Sequence, residues 1–172
     1  IQYVPNAGVV SVDSATRSIV TSAMTVSNAK VLNYIPNQRA GGIAASLGVN
    51  LSGFVPVNAL SYGTAAHPNI HVIGDSCAVP ASDNKAVPKS GHMANAQAKV
   101  CADAILRALS GEVLDTNVAT GSACYSPVTG RTASWLSANF IYGDIYDVNG
   151  AVKGKGMHRV DLGEAPSNGV NG

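Results

Sequence analysis

The sequence has 172 residues, which is enough for one ordinary domain or for parts of two. Eleven lysines and arginines against ten aspartates and glutamates give a formal net charge of +1, and this balance argues against nucleic acid as the main partner. Charged residues make up 12% and hydrophobic residues 46%, so we expect a packed core rather than a disordered chain. The longest apolar runs are far shorter than the roughly 20 residues that a membrane-spanning helix needs.

The ends of the sequence suggest a piece of a longer protein. The chain begins with Ile1 in an apolar segment and has neither an initiator methionine nor a secretory signal. Residues 163–172 form a tail rich in Gly, Asn, Pro and Ser. We therefore expect a fragment whose N-terminal part is missing.

Three cysteines are spread widely along the chain, at Cys77, Cys101 and Cys124. Their spacing does not match a zinc site, so no structural metal is expected. One disulfide with a free thiol, or three buried thiols, are both consistent with the sequence. Cys101 falls on an apolar helix face, where packing is the expected role.

The first 35 residues are typical of β-structure. Short β-branched runs at residues 9–12, 19–20, 24–26 and 31–35 predict strands. Residues 13–16, with the sequence Asp-Ser-Ala-Thr, predict a hairpin connection between the first two strands. The segment therefore predicts a small antiparallel sheet.

Local signals also predict the secondary structure of residues 39–47 and of residues 140–153. Residues 39–47 predict a short helix that ends at Gly48. Residues 140–142, 144–148 and 151–153 predict strands, and the Asn-Gly pair at 149–150 between alternating runs is a strong hairpin signal. Together these patterns favour a mixed α/β class.

The middle of the chain predicts a strand, a loop and a long helix. Residues 55–57 are extended, residues 70–73 form an apolar strand, and Gly74-Asp75 closes it. After a loop, Ser90 predicts the N-cap of a helix that runs to about Leu109, and Gly111 ends it. The apolar face of this helix is predicted by small and apolar residues at helical spacing, which are Ala94, Ala98, Cys101, Ile105 and Leu109.

The chemistry-bearing residues lie at the two ends of that loop. In an open α/β sheet, ligands bind at the carboxyl ends of the strands, where Gly74 permits close approach and Asp75 offers hydroxyl-binding oxygens. The helix that starts at Ser90 and Gly91 presents unpaired N–H groups and a partial positive charge, and Lys89 adds a full charge. This combination predicts a site for a ligand that develops negative charge.

The same residues carry a family resemblance. Residues 71–75 (His-Val-Ile-Gly-Asp), 88–91 (Pro-Lys-Ser-Gly) and 94–100 resemble the flavoprotein subunit of flavocytochrome c sulfide dehydrogenase. Residues 35–41 are similar to that family's Pro-Pro-Gln-Arg-Ala-Gly segment, with Asn37 in place of the second proline, and residues 124–126 to its Cys-Tyr-Ser segment. The resemblance spans residues 25–130 approximately and is weaker towards both ends.

The resemblance implies an α/β fold: the C-terminal part of a flavoprotein with two Rossmann domains, plus an α+β C-terminal interface domain. Residues 1–50 would end the second dinucleotide-type domain, and residues 51–112 would supply the last strand and helix of the FAD-binding domain. Residues 113–172 would start the interface domain. The glycine-rich FAD fingerprint would lie in the missing N-terminal half.

The resemblance also implies an activity and its partners. The complete protein would be a periplasmic, FAD-dependent oxidoreductase that passes electrons from a sulfur compound to a c-type cytochrome subunit. Asp75 would bind the ribityl chain, with Gly74 allowing its approach. Lys89 and the helix start at Ser90 and Gly91 would face the pyrimidine edge of the flavin, where positive charge raises the reduction potential.

One departure from the family bears directly on the chemistry. The family has a redox cysteine in a Gly-Trp-Cys-Pro-Val segment, and the matching residue here is Val55. A valine forms neither a persulfide nor a disulfide, so the alternative function is a flavin-binding electron-transfer or assembly protein without sulfide chemistry. Cys77 is the candidate to replace the missing thiol, and its other interpretation is a small buried residue. No catalytic residue is assigned.

The four histidines are candidates either for the site or for structural roles. His67 and His92 are candidates for the site, His92 because it follows the Pro-Lys-Ser-Gly turn, and a structural role is the alternative that we favour for His92. His71 lies in a predicted strand and His158 in a late β segment, so both are expected to be structural.

Overall fold

A computed structural model describes residues 2–83, 85–160 and the backbone of 170–171. The chain divides into two compact units, residues 1–37 and residues 38–172. The described residues form a mixed α/β structure with three small sheets, which confirms the mixed class. The domain boundaries implied by the resemblance stay predictions. In the described part of the chain, no helix has the length and hydropathy that crossing a membrane requires.

The first unit is an antiparallel sheet of three strands: β1 (Val9–Asp13), β2 (Ser18–Thr21) and β3 (Thr25–Val26). The predicted hairpin connection is confirmed, because Asp13 Oδ1 accepts hydrogen bonds from the backbone N–H groups of Ala15 and Thr16 at 2.8 and 3.2 Å.

The predicted strand at residues 31–35 is wrong. These residues pair with no strand in the described chain, and Val31 and Ile35 are exposed. A β-branched run becomes a strand only where a partner supplies the ladder hydrogen bonds.

The second unit begins with α1 (Gly42–Ala45), which is shorter than the helix predicted over residues 39–47. Its start has two glycines and no side-chain cap, and both features weaken a helix N-terminus. Its end is as predicted, because Gly48 follows with a φ of +91°, in the left-handed region that glycine tolerates.

A two-stranded parallel sheet follows, made of β4 (Val55–Pro56) and β5 (Cys77–Ala78). Val55 and Cys77 are register partners in this pair. Both side chains are buried in the first core cluster of the unit, whose other buried members are Val57, Tyr62, Val72 and Cys101.

The predicted strand at residues 70–73 is also wrong: it forms only an isolated bridge between His71 and Gly63. The Val72 N–H donates to the Tyr62 carbonyl, so one edge of the segment is paired. The other edge finds no partner strand among the described residues, and Ile70 and Ile73 are exposed. The apolar sequence is strand-like, but the described chain lacks the second neighbour that a sheet interior requires.

The long helix is confirmed as α2 (Gly91–Leu109), with Ser90 as N-cap and Gly111 beyond its end at a φ of +72°. Its apolar face differs from the prediction, because Leu109 is exposed. The buried residues of the helix are Met93, Gln97, Cys101 and Ala104. The buried face is therefore rotated toward a glutamine that the hydrophobic pattern assigned to the polar side.

The C-terminal part is an antiparallel sheet of β6 (Ala119–Pro127), β7 (Thr132–Tyr146) and β8 (Val152–Val160), with β9 (Val170–Asn171) on β7. The predicted hairpin at residues 149–150 is confirmed, since Gly150 has a φ of +84°. Residues 140–142 and 144–146 of the two predicted strands lie in the single strand β7, whereas residues 147–148 belong to the turn that follows it. Phe140 and Met157 of this sheet pack on Met93 of α2 in the second core cluster.

Candidate functional site

The Gly74-Asp75 segment is a single turn of 3₁₀-helix that precedes β5. Gly74 has a φ of +67°, and a Cβ there would lie 3.3 Å from Cβ of Ala94 on α2. Its N–H donates to Oε1 of Gln97 at 2.7 Å. The predicted glycine is therefore required by the backbone conformation, and the turn is tied to the middle of α2.

Asp75 lies on the outer side of this turn. Its side chain is exposed and accepts no hydrogen bond from any residue that the structure describes. Both carboxylate oxygens are therefore free to accept hydrogen bonds from a ligand, at the rim rather than inside the unit.

Lys89 is half-buried between the Gly-Asp turn and an aromatic ring. Its Nζ donates to the Cys77 carbonyl at 2.8 Å and lies 3.8 Å from the centre of the Phe54 ring. Burial lowers the pKa of Lys89, while Cys77 and Asp75 oppose this shift. The two contacts fix the ammonium group, so the cation is preorganised rather than solvated on a flexible chain.

Ser90 is the N-cap of α2, and Gly91 is the first residue of this helix. Ser90 Oγ accepts from the Met93 N–H at 3.2 Å and lies 2.7 Å from Ser122 Oγ of β6. Gly91 is exposed, with no atom within 4 Å of the position that its Cβ would occupy. The serine therefore caps the helix and joins it to the C-terminal sheet.

The contribution of the Ser90 cap to the free energy of unfolding can be measured. We expect Ser90→Ala to lower the free energy of unfolding by about 1 kcal/mol, because the Met93 N–H loses its acceptor. Urea denaturation of the whole chain measures this change. Ser110→Ala, at the exposed C-cap, is the matched control and should have a much smaller effect. Equal effects of the two substitutions would contradict the capping role.

A cavity of about 440 Å³ lies beside the Gly-Asp turn. This volume is within the range of about 300–1,000 Å³ typical of small-molecule sites. Of the five predicted site residues, Gly74 and Lys89 line it, whereas Asp75, Ser90 and Gly91 do not. Its other lining residues are Asn50, Ser52, Phe54, Cys77, Ala78, Val79, Ala81, Ser82, Asp83, Ala86, Val87, Pro88 and Gln97.

Phe54 and Gln97 are two of the lining residues that the predicted site does not include. Phe54 supplies an aromatic wall, and Gln97 is only 2% exposed. The sequence signal for Gln97 is its helical spacing, because it lies four residues from both Met93 and Cys101, where an apolar residue would otherwise be expected.

The thiol of Cys77 also borders the cavity. Its Sγ lies 3.2 Å from the Gly74 carbonyl and 3.6 Å from Gln97 Oε1, and both atoms are acceptors. Burial raises the pKa of Cys77 to about 11, so the thiol is protonated at neutral pH. The residue lies beside Val55, the position of the family's redox cysteine, but as a thiol rather than as a reactive thiolate.

Neither expectation for the three cysteines holds. Cys77 and Cys101 are buried free thiols, and Cys124 is an exposed free thiol. Cys124 lies in the outer half of β6, opposite Leu136, where core packing ends.

None of the four histidines is among the residues that line the cavity. His92 Nδ1 lies 3.1 Å from the Ala123 carbonyl of β6, so this candidate contacts the C-terminal sheet, and His67 is exposed. His71 Nδ1 lies 2.8 Å from the Ser61 carbonyl, and His158 packs edge-on against Tyr146. The structural roles expected of His71 and His158 match these contacts.

The cavity combines hydrogen-bond donors with apolar and aromatic walls. A fixed ammonium, a buried amide and an aromatic wall meet there, next to apolar side chains such as Val79 and Val87. Such a lining can bind a ligand that combines a flat apolar part with hydrogen-bond acceptors. No protein-family model matches the chain, so the family resemblance rests on the segments quoted above.

Proposed function

We propose that this chain is part of an FAD-dependent oxidoreductase of the flavocytochrome c sulfide dehydrogenase type, and that the cavity beside Lys89 receives the flavin ring. The observation that carries this proposal is the fixed Lys89 ammonium on a cavity of suitable size. The cofactor supplies reversible electron acceptance when bound. Lys89 would favour the reduced form, because reduction adds negative charge to the ring.

The finer fold belongs to the same proposal. The unpaired edge of residues 70–73, with Ile70 and Ile73 exposed, supports a sheet completed by a further part of the polypeptide. In the proposed protein, an N-terminal half supplies that strand and the pyrophosphate-binding loop. A periplasmic location and a c-type cytochrome partner follow from the resemblance alone.

The Lys89 charge can be tested by potentiometry. In the complete protein, we expect Lys89→Met to lower the two-electron reduction potential of the flavin, because the reduced ring loses its countercharge. A loss of about 1.4 kcal/mol corresponds to about 30 mV for a two-electron couple. Lys85→Met, at an exposed lysine of the same loop, should leave the potential nearly unchanged. Equal shifts from both lysines would indicate a long-range charge effect and contradict a local role.

The Asp75 carboxylate can be tested by cofactor retention. We expect Asp75→Ala to weaken FAD binding on the order of 10- to 150-fold, since a hydrogen bond to a charged group contributes about 1.5–3 kcal/mol. Dialysis followed by absorption spectroscopy measures the retained flavin. Asp115→Ala, at an exposed aspartate outside this cavity, is the control. Full retention in Asp75→Ala would show that the ribityl chain binds elsewhere.

A second candidate function is favoured by the thiol arrangement. Val55 occupies the position of a redox cysteine and is 1% exposed, and its neighbour Cys77 is protonated at neutral pH. These two observations favour a flavin-binding electron-transfer or assembly protein without sulfide chemistry. Steady-state reduction of cytochrome c by sulfide separates the two candidates. Turnover supports the dehydrogenase, whereas bound FAD without turnover supports the second function.

A further inference from the structure

Gln97 is the most deeply buried polar side chain on the cavity, at 2% exposure. It belongs to the buried face of α2, between Met93 and Cys101, where an apolar residue would pack without a hydrogen-bonding requirement. Burying an amide is unfavourable unless its polar atoms are paired. The partners of its two polar ends therefore indicate what the residue does.

The oxygen end of the amide accepts a backbone hydrogen bond. Gln97 Oε1 accepts the Gly74 N–H at 2.7 Å and lies 3.6 Å from Cys77 Sγ. These contacts also fix the orientation of the amide, because a backbone N–H requires an acceptor. Gln97 thus positions the left-handed Gly74 turn from the first half of α2.

The nitrogen end of the same amide has no such partner. Gln97 Nε2 donates no hydrogen bond to any residue that the structure describes, although the side chain lines the cavity. Lys89 Nζ on the same cavity is also a donor, and its one hydrogen bond leaves further N–H groups. The polar side-chain groups of Lys89 and Gln97 thus offer donors, which a ligand with acceptor atoms would pair.

We infer that Gln97 is a flavin-binding residue: its Oε1 holds the Gly74 turn, and its Nε2 donates a hydrogen bond to an acceptor atom of the flavin ring. This inference rests on the proposed function. A ligand whose polar edge carried only donors would leave Gln97 Nε2 and the remaining N–H groups of Lys89 without acceptors. The acceptor-bearing edge of the ring is the part that these two residues recognise.

The decisive variant is Gln97→Glu in the complete protein. It keeps a carboxyl oxygen to accept from Gly74, so the turn is preserved, but it removes the amide donor and adds negative charge near the ring. We expect FAD affinity to fall by about tenfold or more. We also expect a lower reduction potential and a shifted flavin absorption band, together with some loss of thermal stability in the apoprotein because the new carboxylate is buried. Gln38→Glu, at an exposed glutamine, is the charge-matched control.

The outcomes separate the inference from the function on which it rests. A wild-type protein without bound flavin would overturn the proposed function and this inference together. Flavin in the wild type, with affinity, potential and spectrum unchanged in Gln97→Glu, would overturn the inference alone. If Gln97→Glu does not fold, Gln97→Met is used instead. It should lose FAD affinity more strongly than the control, and retention at the wild-type level would again overturn the inference.

Discussion

Gly156→Ala is expected to lower the free energy of unfolding by about 1–3 kcal/mol, the range typical of overpacked positions. A Cβ at this residue would lie 2.4 Å from the carbonyl oxygen of Pro80 and 2.8 Å from its carbonyl carbon. Neither atom belongs to a flexible side chain, so the backbone itself has to move. The same oxygen accepts the Met157 N–H at 2.8 Å, and that bond would be strained as the strand shifts.

The control for this prediction lies directly across the sheet. Gly143 is the register partner of Gly156, and its Cβ would have no neighbour within 4 Å. Urea denaturation of Gly143→Ala should therefore give a much smaller loss than Gly156→Ala. Equal losses would mean that the sheet, rather than the contact with Pro80, sets the requirement for glycine.

The contact at Pro80 also joins the sheet to the cavity. Ser82 and Asp83 line the cavity, and Ser82 Oγ accepts the Tyr146 N–H at 3.0 Å. The Asp83 N–H donates to the Tyr146 carbonyl at 2.9 Å, and the Asp83 carboxylate pairs with Lys153. One wall of the cavity is therefore built on β7 and β8. Displacing this wall in Gly156→Ala should weaken ligand binding as well as stability.

The elements that the sequence predicts correctly are those with local causes. The cap at Ser90 lies next to the helix that it begins, and Gly111 adopts the left-handed conformation that ends it. The Asn149-Gly150 hairpin is likewise determined by a few adjacent residues. Such signals depend on backbone chemistry within one or two turns, so they are readable without tertiary information.

The two strand predictions that are wrong depend on distant parts of the chain. Residues 31–35 and 70–73 have the composition of strands, but strand formation depends on a partner that composition does not reveal. In the described chain, the first run finds no partner and the second finds a single bridge. Both strand predictions are therefore wrong, because the described chain does not supply a partner strand along the whole of either segment.

The residues of the candidate site show the same difference between local and distant causes. Gly74 and Lys89 are predictable because each has a distinctive local context. Gly74 follows an apolar run, and Lys89 precedes a helix. Gln97 was missed because its partner lies 23 residues away along the chain. Phe54 was missed because its contact with Lys89 joins two distant loops. Neither contact leaves a periodic signal in the sequence.

The second large effect is expected at alkaline pH, where Cys77 should make the chain progressively less stable. Its pKa is raised from 9.0 to about 11 in the folded protein, chiefly by burial. The folded state therefore binds this proton more tightly than the unfolded state. The resulting stabilisation is fully present below pH 9 and is lost as the pH rises through 11. A difference of this size corresponds to about 2–3 kcal/mol.

The comparison that isolates this effect is Cys77→Ala against the wild type, by urea denaturation at several pH values from 8 to 11. Burial also raises the pKa of Tyr62, which acts in the same direction, and lowers the pKa of Lys89, which acts in the opposite one. Both groups remain in the variant, so the change in the difference between the two proteins reports Cys77 together with its charge interactions with Tyr62 and Lys89. The stability advantage of the wild type should shrink with rising pH, whereas Cys124→Ala should follow the wild-type slope. A constant difference would mean that Cys77 ionises as readily in the folded chain as in the unfolded one, and the thiol would then be available as a nucleophile beside Val55.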